Sequence, residues 1–279
     1  MKIADILQEL ARTGSMRPLD AERYAACLAT YESASTQRAR IADWFTEAVA
    51  PGLPKSLARV LSVGCGAGDL DLVLLGSAAG YSTSLCYVGI EPAPSQCRRF
   101  VSRLRGADHA GVEIEGHDLC FEAFEDPRRF DLVLMVHSLY YMEHPQQACE
   151  RALRLVEKKG RLAVLVASND RLNELSSAFW ELTNGRPSWF SEDLQAYLEA
   201  AGASYERTRI EATLDVTDCC EPRSARGVEI ADFLAQISTA DLPARLREMV
   251  FAYLEESADH DGSRRWLPHN VDAFMIEGA

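Results

Sequence analysis

The 279-residue sequence has no long apolar run, no internal repeat and no low-complexity stretch. A bilayer-spanning helix needs about 18 or more consecutive apolar residues, and no segment reads as a signal or targeting peptide. A cytoplasmic protein with no membrane partner is therefore expected. Basic residues are scarce: 29 Lys and Arg stand against 42 Asp and Glu, a net charge of −13. Nucleic-acid backbones require clustered Lys and Arg, so no nucleic-acid partner is expected. The densest basic cluster, Arg98 and Arg99 with Arg103 and Arg105, falls on a helical pattern and reads as a solvated face. The eight cysteines form no C-x-x-C pair and no His/Cys metal spacing, so no metal is expected. Cys27, Cys86, Cys97 and Cys149 fall within apolar patterns, where a free thiol behaves as a small buried hydrophobe. The vicinal Cys219 and Cys220 read as reduced.

What remains is an ordinary globular composition, 47% hydrophobic and 25% charged, long enough to bury a sizeable core. The chain is organised around Arg59-Val-Leu-Ser-Val-Gly64-Cys-Gly66-Ala-Gly68-Asp69-Leu-Asp-Leu72. A run of β-formers meets glycines at alternate positions, and an acidic residue opens a helical apolar pattern. Strand, tight turn and helix follow, with Gly64, Gly66 and Gly68 leaving room for a ligand against the backbone. Twenty-three residues beyond Gly68, a second strand pattern ends in Glu91. A carboxylate at a strand tip suits a ribose diol. Together the two signals point to an adenosyl cofactor. The spacing is G-x-G-x-G with Asp69 following, not the dinucleotide G-x-G-x-x-G. Carboxylate competes with pyrophosphate at a helix N-terminus, so S-adenosylmethionine fits better than a nicotinamide cofactor.

Alternating patterns predict an α/β fold, a Rossmann-like, mostly parallel seven-stranded sheet with helices on both faces and a helical lid over the substrate. Strands are expected at 58–63, 84–90, 111–117, 130–136 and 160–167, and helices at 69–78, 94–105, 145–156 and 170–182. Helical patterns at 2–12, 20–32 and 36–49 precede them, the first interrupted at Thr13-Gly14-Ser15. Residues 1–50 form a helical cap and 170–268 the substrate-side elaborations of one domain, 1–279. Further helices are expected near 191–201, 228–237 and 242–256, with alternating strands from Tyr205 to Thr217 and from Asn270 to Glu277, the latter closing the sheet edge. Ligands lie beyond the strand C-termini in such sheets, where Gly64, Glu91, Asp118 and His137 stand. Asp118 could accept from an adenine amino group or cap its own turn. His137 ends an apolar strand, and Tyr140 and Tyr141 add aromatic walls with polar ends. Tyr24, Leu28 and Tyr31 share one helical face, either packing or covering a substrate pocket. Trp180, Trp189, Phe233 and Trp266 are spread over the second half of the chain.

The chain resembles the histamine N-methyltransferase family of class I S-adenosylmethionine-dependent methyltransferases. The likeness runs from Tyr24 to the C-terminus. It is carried by the Leu61–Leu72 glycine motif, Ile90-Glu-Pro-Ala-Pro-Ser-Gln96, Ser138-Leu-Tyr-Tyr141, Thr213-Leu-Asp-Val-Thr-Asp-Cys219, Asp232-Phe-Leu234 and Asn270–Glu277. The resemblance implies an enzyme binding S-adenosylmethionine through Gly64, Glu91, Gln96, Cys120 and Val136. It further implies a small-molecule acceptor, a monomer, and methyl transfer to nitrogen of an imidazole, amine or amino-acid-like compound. Acceptor contacts are expected at Tyr24, Gln37, His137, Tyr141, Trp180, Phe233 and Asn270, with His137, Tyr140 and Tyr141 catalytic. The family's acceptor site uses a glutamate, a glutamine and an asparagine; here those positions hold Gln37, His137 and Asn270. The site has lost a negative charge, which disfavours histamine and favours a neutral, zwitterionic or carboxylate-bearing acceptor. The alternatives are an O- or C-methyltransferase of natural-product metabolism, a protein methyltransferase, and a cofactor-binding regulatory protein without catalysis.

Overall fold

Strands buried on both faces need continuous apolar runs, and the chain supplies several, among them Phe130-Asp-Leu-Val-Leu-Met-Val136. A computed structural model describes residues 2–12, 16–221 and 223–278, all but the side chain of Leu182. The interruption expected at Thr13-Gly14-Ser15 lies outside the described residues. Helices α1 (Ile3–Leu10), α2 (Ala21–Ser33) and α3 (Gln37–Trp44) come first. A π-helical turn, Phe45–Val49, ends the third helical pattern, so the expected helix to residue 49 changes its winding before Pro51. Then follow β1 (Leu57–Val63), α4 (Asp69–Tyr81), β2 (Ser84–Ile90), α5 (Pro94–Arg105), β3 (Val112–His117), β4 (Phe130–Val136), α6 (Pro145–Leu155) and β5 (Val156–Ala167). The second half contains α7 (Arg171–Asn184), α8 (Ser191–Ala200), β6 (Tyr205–Ile210), β7 (Thr213–Asp215), α9 (Ala225–Ala235), α10 (Ala244–Ser257), β8 (Asp259–His260), β9 (Arg265–Pro268) and β10 (Val271–Glu277).

The chain divides into two compact units. One comprises residues 39–166, 189–210 and 271–279 and holds the large sheet, ordered β3-β2-β1-β4-β5-β10-β6. β3, β2, β1, β4 and β5 are parallel, and β6 runs antiparallel to β10 at the edge. Side chains alternate across this sheet, splitting its core into two clusters. Val60, Tyr87, Leu132 and Phe100 belong to one; Leu61, Val88, Val133 and Phe274 belong to the other. Strand order reverses between β1 and β4, and the tips on either side of that reversal form the ligand crevice of an open α/β sheet.

The other unit comprises residues 1–38, 167–188 and 211–270. Its core gathers Ile6, Tyr31, Phe179, Ile230 and Leu246 beside a small antiparallel sheet, β7-β9-β8. Arg23 ties α2 to α9, reaching Asp232 at 2.7 Å and Glu229 at 3.2 Å. Buried Asp232 also accepts from the backbone N–H and hydroxyl of Thr239, 2.8 and 2.6 Å away. One expectation fails here: Tyr205 to Thr217 is not a single strand. Residues 205–210 join the large sheet and residues 213–215 pair with β9 in the small one. Between them the Ala212 backbone leaves the ladder, donating to Asn270 Oδ1 and accepting from His269 N–H.

An ion cluster clamps the β3 edge. The Arg128 guanidinium binds Glu115 at 2.6 and 2.7 Å and Asp126 at 2.7 Å, with Cys86 Sγ 3.5 Å away. Cys86, Glu113 and Glu115 place three possible metal-ligand atoms within 4.8 Å, but the Arg128 side chain supplies the cation there. Hydrogen bonds from Arg128 hold the Glu115 and Asp126 carboxyls below their ordinary pKa values. A carboxyl with a lowered native pKa stabilises the fold above its unfolded pKa, and that contribution disappears as pH falls through the native value. Arg128→Gln is expected to cost about 1–2 kcal/mol at pH 7 and to flatten the loss of stability below about pH 4. Urea unfolding at pH 7 and pH 3 checks this; parallel pH dependences in both proteins would show that the clamp does not drive acid sensitivity.

Candidate active site

At the end of β1 the chain turns within five residues, which requires backbone conformations open to glycine. Gly64, Gly66 and Gly68 have φ values of 73°, 55° and 76°. Their surroundings differ. A Cβ on Gly64 would lie 2.5 Å from Ser138 Cβ, and one on Gly68 would lie 2.8 Å from Phe100 and 2.9 Å from Leu104. A Cβ on Gly66 would meet nothing within 4 Å, so this glycine faces open space. Cys65 between them is buried, and that burial pushes its thiol pKa far up, with Asp71 and Glu91 adding to the rise. It is a packing residue, not a nucleophile.

Glu91 closes the turn from the β2 side. Its Oε2 accepts from Gly66 N–H at 3.1 Å and its Oε1 from Ala93 N–H at 2.9 Å. Gln96, on the first turn of α5, has a buried Oε1 with no partner among the described residues. Asp118 and Cys120 are exposed in the segment after β3, and Val136 is half-buried at the end of β4. Asp69 differs from its expected role. Its carboxylate lies 2.8 Å from Arg103, which also donates to Ala67 O at 2.6 Å. Arg103 is thus a strut under the glycine turn, not part of a solvated face, and Asp69 spends its charge on it.

His137 follows β4 with φ 51°, a left-handed conformation that costs a non-glycine residue about 1 kcal/mol. Its N–H donates to Leu165 O at 3.0 Å. The ring stacks on Tyr140 with centroids 6.0 Å apart and 19° between planes, and Nδ1 lies 3.2 Å from the Tyr140 hydroxyl. Tyr141, 55% exposed, meets Tyr140 edge-on. These residues fit an adenosyl ligand. Glu91 keeps lone pairs for a diol, Gly66 leaves room for a sugar, and the buried Gln96 Oε1 awaits a donor.

In the other unit, Tyr24, Gln37, Phe233 and Asn270 gather around Tyr31, which the sequence put on the same helical face as Tyr24, and His269, which it did not single out. Tyr31 packs on Phe233 at 4.4 Å, and Phe233 lies 5.6 Å from Tyr24. The buried His269 ring takes the Tyr31 hydroxyl at Nε2 and the Ser35 hydroxyl at Nδ1, both at 2.7 Å. Gln37 Nε2 donates to His269 O at 2.8 Å, a contact that a carboxylate at position 37 could not make. Asn270 Oδ1 accepts from Ala212 N–H at 3.1 Å. Trp180 faces the Arg186 guanidinium at 5.9 Å. A histidine directly before Asn270 was the available signal for this cluster.

A methyltransferase-domain profile matches residues 33–207, more than half of the chain. The chain belongs to the methyltransferase family. It is similar to histamine N-methyltransferase of Danio rerio, 23% identical over 242 residues that cover 80% of this chain and 82% of that protein. The enzyme of the same name from Rattus norvegicus is 25% identical, with 74% and 75% covered. Among solved structures, the plantazolicin methyltransferase BpumL in complex with SAH shares the fold, with a TM-score of 0.53 at 13% identity over 93% of this chain and 91% of that one. The methyltransferase uses S-adenosylmethionine as its methyl donor.

Within this methyltransferase the hydroxyl of Tyr31 is one of two that satisfy a buried imidazole. Tyr31→Phe removes it without changing ring packing. Unfolding free energy is expected to fall by about 1–2 kcal/mol, the cost of leaving a buried polar atom without that partner. Chemical denaturation measures the change, and unaltered stability would show that the bond contributes nothing.

Proposed function

We propose that the methyltransferase carries a methyl group to a nitrogen of a small molecule, an imidazole, amine or amino-acid-like compound, with His137 handling the acceptor's proton. The observation that carries this is the left-handed backbone of His137 beside Tyr140. Strain of this kind persists where function requires a particular orientation. Bound S-adenosylmethionine supplies an electrophilic methyl on a sulfonium, with a thioether as leaving group. Glu91 would hold the ribose hydroxyls, Gln96 and Asp118 would meet the base, and Gly64, Gly66, Gly68, Cys120 and Val136 would shape the surrounding surface. The chain's remaining task is alignment and exclusion of water. His137, its ring fixed by stacking on Tyr140 and by the bond at Nδ1, is suited to accept a proton from an acceptor that must lose one. Tyr141 supplies an aromatic wall. Recognition of the acceptor is assigned to Tyr24, Gln37, Phe233 and Asn270 by the resemblance, with Trp180 a further expected wall.

Radiolabelled methyl transfer to a panel of imidazoles, amino acids, biogenic amines and phenols tests the reading. Incorporation into nitrogen compounds is expected; exclusive incorporation into hydroxyls would make this an O-methyltransferase. His137→Gln is expected to keep the fold and lose at least about tenfold in kcat/KM, below the usual cost of losing a general base. It should also lose the acidic limb of the pH–rate profile, since an imidazole titrates near neutrality. Full activity in that protein would reduce His137 to a packing residue.

Charge at position 37 makes a separate prediction. Gln37 is neutral, so histamine, a cation, should be a poor acceptor. Gln37→Glu should raise kcat/KM for histamine, while the new carboxylate faces the carbonyl of His269 and lowers stability by about 1–3 kcal/mol. Equal kcat/KM for histamine in both proteins would refute the charge argument.

A further inference from the structure

Ser138 follows His137 and is 5% exposed, yet its hydroxyl oxygen is fully buried without a hydrogen-bond partner among the described residues. The backbone around it is well used. Ser138 O accepts from Tyr141 N–H at 3.2 Å, opening the one-turn helix Leu139–Tyr141. A buried hydroxyl left unpaired destabilises a fold, and such groups are rare without a purpose. This side chain also sets the shape of the glycine turn. A Cβ on Gly64 would come 2.5 Å from Ser138 Cβ and 3.4 Å from its Oγ, so the serine rests against the turn itself.

Its place in the sheet indicates which ligand atoms lie nearest. Along the row of tips, Glu91 follows β2, the glycine turn follows β1 and Ser138 follows β4. Adjacent strands are about 4.8 Å apart, so two strand spacings, about 10 Å, separate the Glu91 tip from the Ser138 tip. The ribose belongs at Glu91, and the polar groups that suit a base, Gln96 and Asp118, lie on the β2 and β3 side. The opposite, β4 side is left for the sulfur and the amino-acid end of the cofactor, beside His137. That end carries an ammonium and a carboxylate, and a hydroxyl can accept from the first or donate to the second.

We infer that the Ser138 hydroxyl binds the amino-acid moiety of S-adenosylmethionine and so fixes the sulfonium end against the glycine turn. The inference rests on the placement of the ribose at Glu91 and the reacting end at His137 described above. A hydrogen bond to a charged group in a buried setting is among the stronger ones, so its loss should be plain in affinity.

The experiment compares two probes by calorimetry: S-adenosylhomocysteine, which retains the amino-acid end, and methylthioadenosine, which lacks it. In Ser138→Ala, affinity for S-adenosylhomocysteine should fall at least about tenfold, while affinity for methylthioadenosine stays as in wild type. The ligand-free protein should melt no lower than wild type, because alanine removes an unsatisfied hydroxyl. Ser138→Cys, close in size, should show the same pattern and stands in if the alanine protein does not fold. Unchanged affinity for S-adenosylhomocysteine, or an equal loss for both probes, would overturn the assignment. Glu91→Ala should weaken both probes alike; retention of both there would overturn the ribose placement instead, a result independent of the Ser138 comparison.

Discussion

Everything proposed for the cofactor depends on one hydrogen bond, from the Gly66 N–H to Glu91. Three left-handed glycines make the turn sharp but leave it soft, since glycine has more backbone freedom to lose than any other residue. The carboxylate at the tip of β2 captures the middle of that turn, and Arg103 pins its far side through Ala67 O. Two adjacent parallel strands are thereby joined at their tips as well as along their ladder. The carboxylate proposed to receive a ribose is already held by backbone N–H donors. Binding then need not include the cost of ordering that side chain.

The parts of the molecule legible in the sequence are those whose signal is local. Apolar runs gave strands at 84–90 and 130–136 to the residue, and Pro94 marked the first turn of α5. The glycines, Glu91 and His137 could be picked out because the sequence pattern puts them at strand tips, where the structure has them. What was hidden depends on partners far along the chain. Arg103 sits on the exposed side of an amphipathic pattern, and only folding brings it to Asp69 and Ala67. Ser138 stood only as the first residue of the Ser138–Tyr141 segment, because its packing against Gly64 is encoded by no periodicity. The alternation from Tyr205 to Thr217 marked strand at 205–210 and 213–215, but alternation does not name a partner. Two successive segments pair in different sheets.

The unit containing α2 and α9 has its own chemical logic. The positions that the family resemblance marks for acceptor binding are fixed by residues that were not marked. Gln37 is oriented by a main-chain carbonyl, to which a carboxylate could not donate, so the amide at this position makes a structural contact as well as a change of charge. On the proposed acceptor role of Gln37, substrate preference and stability are linked at one side chain, and a substitution that restores the family's acid there would act on both.

The imidazole of His269 has a consequence for proton positions. A neutral ring donates from one nitrogen and accepts at the other, so its two hydroxyl partners cannot behave alike. When Nε2 carries the proton, Tyr31 must accept and Ser35 must donate; when Nδ1 carries it, both roles reverse. Ser35 Oγ also accepts from the Gln37 N–H at 3.0 Å. The hydroxyl hydrogens at the end of α2 and the start of α3 are therefore not independent variables. They form a short wire with two polarities, and a single tautomer switch turns both hydroxyls at once while the Gln37 N–H stays a donor.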